Sequence, residues 1–94
     1  MKYRERPITI DAVRLQPGDM MPSWFTEGVK KNIIMVKEDN SFEIKTEDGT
    51  LRGEKGDYII CDVFGKIYPC RAEIFERAYE RVAGRTERPG RVSL

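Results

Sequence analysis

Ninety-four residues suffice for one domain with a single modest core, and 39% hydrophobic beside 35% charged residues marks a globule with a heavily charged surface. Seventeen Lys and Arg against sixteen Asp and Glu leave a formal charge of +1, which argues against long-range attraction to nucleic acid or anionic membrane. The absence of histidine removes the commonest general base and metal ligand, and Cys61 and Cys70 alone cannot complete a structural zinc site. No metal and no cofactor is therefore expected.

No apolar run approaches the ~20 residues of a membrane span. Residues 8–15 alternate too regularly for the apolar core of a secretory signal, so the expected location is cytoplasmic, with both cysteines reduced.

In chain order, Ile8, Ile10 and Ala12 alternate with Thr9 and Asp11, the period of a half-buried strand. The phase slips at Ala12-Val13, which predicts either a β-bulge or the end of the strand. Gln16-Pro17-Gly18-Asp19 is turn chemistry. Residues 20–31 then predict a short helix, with Pro22 in its first turn or Ser23 as its cap. Trp24, Phe25 and Val29 share a face of it, with Trp24 and Phe25 as core anchors, while Gly28 weakens it by roughly 1 kcal/mol against alanine.

Strands and polar turns follow. Ile33-Ile34-Met35-Val36 predicts a strand buried on both faces, 37–40 a turn, and 41–45 a strand with Phe42 and Ile44 on one face. Asp48-Gly49 signals a hairpin leading into Thr50-Leu51-Arg52. Residues 54–80 then organise the rest: a polar turn, a strand over 58–61, a glycine-marked hairpin, a strand over 67–70 closed by Pro69, and a helix. A two-residue loop would set Cys61 opposite Tyr68 and a three-residue loop would set it opposite Ile67. Neither places it across from Cys70, so no disulfide is expected and both thiols read as small hydrophobes. In the helix, Ile74, Phe75, Ala78, Tyr79 and Val82 form one apolar stripe, with Glu73 and Arg77 as an i,i+4 pair.

These elements predict an α+β fold over residues 1–82: a small antiparallel-rich sheet of about five to six strands, one short helix in the N-terminal half and one C-terminal amphipathic helix. Residues 83–94, with three arginines against one glutamate, read as a flexible basic tail.

Gly56-Asp57-Tyr58-Ile59-Ile60, Gly65, Ile67-Tyr68-Pro69-Cys70, Ile74-Phe75-Glu76 and Tyr79-Glu80 together resemble the signature of a family of small phage and prophage proteins. Lys2-Tyr3-Arg4, Pro7 with the residues 8–12 that follow it, and Pro22 with Trp24-Phe25 extend the likeness over residues 1–80. The chain departs from the family at Lys55 and Ala72, where proline is usual or frequent. The resemblance implies a phage or prophage origin and an α+β fold rich in antiparallel strands. It assigns no activity and no site residues.

The functional expectation is a non-enzymatic accessory protein acting in the bacterial host cytoplasm, with a host protein or a small ligand as partner. Candidate exposed aromatics (Tyr3, Tyr58, Tyr68) and arginines (Arg4, Arg6, Arg52, Arg71) could stack a base and hold a phosphate. The binding residues expected are Tyr58 and Tyr68 on the sheet and Lys55, Asp57, Phe64 and Lys66 in the turns. The alternatives are a nucleic-acid-binding module using Lys2, Arg4 and Arg6 with Arg85, Arg88 and Arg91, or a small virion-associated structural protein. An enzyme would need Asp57, Asp62, Glu54 or Glu73 as a carboxylate pair and Lys55 or Lys66 as base, and no motif brings them together. Exposed strand edges leave homo-oligomerisation open.

Overall fold

The computed structural model describes residues 1–3, 9–15 and 20–80. Among them, β1 (Asp11–Arg14), α1 (Ser23–Lys30), β2 (Ile34–Val36), β3 (Phe42–Thr46), β4 (Gly49–Gly53), β5 (Tyr58–Cys61), β6 (Ile67–Cys70) and α2 (Ala72–Ala78) follow in order. The expectations for Ile8, for the turn at 16–19, for Val82 and for the tail over 83–94 lie outside the described residues.

The strands are antiparallel, but they form two three-stranded sheets, β1-β5-β6 and β2-β3-β4, where the sequence predicts one. The reason is burial. Val13, Ile59 and Ile67 from the first sheet meet Phe42, Ile44 and Ile34 from the second, with Phe25 of α1 beside them. The sheets are thus opposed layers. The other face of β1-β5-β6 buries Ala12, Tyr58 and Ile60 with Ile10 against Phe75 of α2. The middle sheet is covered on both sides, and this settles the phase slip in β1. Its four residues pair with β5 without a bulge, Ala12 opposite Ile60 and Val13 opposite Ile59. Ala12 and Val13 are both apolar because each face has its own core.

Helix α1 starts later than its pattern predicts. Pro22 is the N-cap residue, Ser23 is the first helical residue, and no side chain caps the end. At the other end Asn32 takes a φ of 62°, and bonds from Asn32 N–H to the Val29 carbonyl and from Ile33 N–H to the Gly28 carbonyl close a Schellman motif. Gly28 has a packing reason. A Cβ there would stand 2.7 Å from Ile34 Cδ1, so the glycine lets α1 lie close on β2. Phe25 is buried and Trp24 half-buried as anchors, but Val29 is exposed, because the helix rests on its Phe25–Gly28 side.

β2 is an edge strand rather than a doubly covered one. Ile34 is buried opposite Ile44, whereas Met35 and Val36 are 48% and 41% exposed. Strand β3 alternates as expected, with Phe42 and Ile44 inward. Its hairpin with β4 turns through Glu47 and Asp48, and Gly49 opens β4 at a φ of 128°. Gly53 pairs with Phe42, whose ring lies where a Cβ would be. The aromatic ring thus fills the space that the glycine leaves.

The β5–β6 hairpin has the three-residue loop, with Cys61 opposite Ile67 and Tyr58 opposite Cys70. Both cysteines are free and half-buried. Pro69 sits within β6 rather than ending it, which an edge strand tolerates because one row of its backbone groups has no ladder partner. Helix α2, with seven residues, is too short to persist alone and is held by packing. Its buried face is narrower than the sequence stripe. Phe75 is buried and Tyr79 half-buried, while Ile74 and Ala78 face solvent. Glu73 pairs with Arg71 at 3.4 Å and not with Arg77.

Candidate binding groove

Strand β5 lies between two turns, each arranged by an aspartate. At its start, Glu54-Lys55-Gly56-Asp57 closes with a 3.0 Å bond from Asp57 N–H to the Glu54 carbonyl, with Gly56 at a φ of 92° as a type II turn requires. Lys55 occupies the position where proline would be pre-set for this turn, and it is exposed. Both oxygens of the Asp57 carboxylate are engaged: Oδ2 accepts the Glu54 N–H at 2.9 Å, and Oδ1 accepts the Ala72 N–H at 3.3 Å. Asp57 therefore caps α2 from a distant turn, where Arg71 has no side-chain oxygen to offer.

Beside this turn Tyr58 is 3% exposed, which corrects its place among the exposed aromatics. Its ring stacks on Phe75 with centroids 3.9 Å apart, and its hydroxyl donates to Glu76 Oε2 at 3.1 Å. The Arg14 guanidinium lies 4.9 Å from the ring centroid, while its Nε donates to the Gly56 carbonyl at 3.0 Å. Burial and the Glu76 carboxylate push the Tyr58 hydroxyl above the ordinary tyrosine range. Tyr58 is thus covered on its ring faces and occupied at its hydroxyl, with no surface on which a base could stack.

At the far end of β5, Asp62-Val63-Phe64-Gly65 turns back. The Gly65 N–H bonds the Asp62 carbonyl at 3.0 Å, Gly65 has a φ of 82°, and Asp62 Oδ1 accepts the N–H groups of Phe64 and Lys66, both at 2.9 Å. This holds Val63 and Phe64 at the tip, 59% and 84% exposed.

Next to that tip lies an open groove of about 670 Å³ between the β3–β4 hairpin and the start of β6. Ile33, Leu51, Ile67 and Tyr68 give it apolar walls, and Lys45, Glu47, Asp48 and Lys66 are its charged side chains. None of these four forms an ion pair among the described residues. Tyr68 is half-buried, and burial raises the pKa of its hydroxyl.

The structure therefore separates the six expected binding residues. Lys55, Asp57 and Tyr58 belong to the α2 end of β5. Lys66 and Tyr68 line the groove, and Phe64 stands beside it. Sequence reasoning missed Ile33, Leu51 and the turn of the β3–β4 hairpin, because these reach the groove through the stacking of the sheets and carry no local signal.

Other chemistry is sparse. Burial raises the pKa of both thiols, helped by the charges of Asp62 and Asp11 at Cys61 and of Asp57 at Cys70, so neither is poised as a thiolate. Among the described residues no cluster of three or more His, Cys, Asp or Glu could hold a metal ion, and no helix is long and apolar enough to cross a membrane. Compared with protein-family models, with curated proteins and with solved structures, the chain finds no match in any of the three.

Proposed function

We propose that the protein is a non-enzymatic binding protein of phage or prophage origin that seats a segment of a host protein, in the host cytoplasm, in the groove between its two hairpins. The observation that carries this reading is the groove itself: apolar walls of Ile33, Leu51 and Ile67 beside four charges of both signs that have no partner ion among the described residues. Its volume lies within the usual range for ligand sites, ~300–1,000 Å³. The mixture of charges favours a polypeptide over a phosphate-bearing ligand. Glu47 and Asp48 would repel a phosphate that Lys45 and Lys66 attract, whereas a peptide with an apolar residue flanked by charges satisfies both pairs.

Panning a displayed peptide library on the protein tests this. Enriched peptides should carry an apolar anchor beside charged residues, and they should shift the amide resonances of Ile33, Leu51, Ile67 and Tyr68. Leu51→Glu places a charge on the apolar wall and should abolish their capture. Enrichment that survives Leu51→Glu, or shifts confined to other surfaces, would sink the reading. A nucleotide that shifts the same amides while no peptide does would replace it with the small-ligand reading.

A further inference from the structure

The chain presents both an apolar knob and an apolar slot, side by side. Val63 and Phe64 project from the β5–β6 tip, and the groove begins at the next two residues, Gly65 and Lys66. The knob is rigid: Asp62 anchors the tip through four hydrogen bonds, two to its carboxylate and two through its backbone. An aromatic side chain carried on a backbone fixed in this way has only its own two χ angles to order on insertion, which suits an interface anchor.

We infer that two copies of this chain pair about a two-fold axis, each inserting its Val63–Phe64 tip into the groove of the other. A two-fold is the operation that a knob beside a slot on one face allows, because it exchanges the two features and closes the assembly at two copies. Charge complementarity supports the same occupant. Lys66 adjoins the tip that enters, and the groove receiving it carries Glu47 and Asp48 in its hairpin turn together with Lys45. The pairing would thus bring together charges of opposite sign that have no partner ion among the described residues of one chain. A contact built on one tip and one groove is small, so the dimer belongs to the weak, reversible class. The inference rests on the groove being a binding surface and does not need a host partner.

Sedimentation equilibrium of the full chain, with isotope-filtered NOESY on a mixture of labelled and unlabelled protein, tests the pairing. The expected result is a monomer–dimer equilibrium, with intermolecular contacts from the Phe64 ring to methyl groups of Ile33, Leu51 or Ile67. Phe64→Ser, at a side chain 84% exposed, should leave the fold intact and weaken the dimer at least about tenfold. Lys66→Glu should weaken it too, and the double variant Lys66→Glu/Glu47→Lys should recover part of the loss. A monomer at every concentration up to about 1 mM, a dimer indifferent to Phe64→Ser, or oligomers that grow beyond two copies would overturn the inference. Peptide capture by a strictly monomeric protein would leave the host-segment reading standing while the pairing falls. Tip-mediated dimers that capture no peptide would do the reverse.

Discussion

The two turns that bracket β5 are built from the same pair of residue types, a glycine and an aspartate, and do opposite things. Each has a glycine at positive φ and an aspartate accepting two backbone N–H groups. Asp57 spends one of its bonds on a distant element, the first residue of α2, and Arg14 reaches over to the neighbouring Gly56 carbonyl. Asp62 bonds only within its own hairpin, and the residues it holds face outward. One turn is tied into the fold and the other is displayed by it. The same local chemistry therefore serves stability or recognition according to whether a tertiary partner is within reach.

Mutations can break or sharpen this contrast. The largest effect is expected at the element that Asp57 caps. Phe75→Ala removes the ring stacked between Tyr58 and Tyr79 and should cost about 3–5 kcal/mol in denaturant unfolding. Next, Asp57→Ala leaves two N–H groups without their acceptor and should cost about 2 kcal/mol, against about 1 kcal/mol for Asp62→Ala, whose lost bonds face solvent. Equal losses at the two aspartates would erase the distinction.

Tyr58→Phe, which removes the hydroxyl bond to Glu76, should cost about 1 kcal/mol at neutral pH. Because the folded pKa of Tyr58 is raised, its contribution is fully present below the ordinary tyrosine value of 10.0 and is lost as pH rises through the folded value. The gap between the parent protein and Tyr58→Phe should therefore close on alkaline titration. A gap that widens would contradict the burial of this hydroxyl. The smallest effect belongs to the displayed turn: Phe64→Ser should change monomer stability by no more than about 0.5 kcal/mol, measured by chemical unfolding at low protein concentration.

What the sequence made legible was local. The alternation of Phe42 and Ile44 marks β3, and Gly49, Gly56 and Gly65 mark turns that do need positive φ. Misreadings arose where burial depends on a distant neighbour. Ala12-Val13 suggests a bulge or a strand end because two cores, one on each face, are not foreseeable from one strand. The run Ile33-Ile34-Met35-Val36 suggested two-sided burial, although β2 lies at an edge with Met35 and Val36 exposed. Asp57 read as a turn residue available for binding, and only the position of α2 reveals it as a cap. At the groove, the sequence itself marks Lys66, Tyr68 and the neighbouring Phe64. Its opposite wall at Leu51 and its acidic turn at Glu47 and Asp48 come from a different hairpin and became apparent only once the sheets were stacked.

The pairing of β1 with β5 has a consequence for how the molecule is made. The strands β2, β3 and β4 join one another through short turns and lie wholly between β1 and β5 in the chain. As the polypeptide leaves the ribosome, that meander can close on itself while β1 still waits for a partner that has not been synthesised. The order of events predicted is a nascent second sheet first and the central sheet later, with α2 closing the remaining core last.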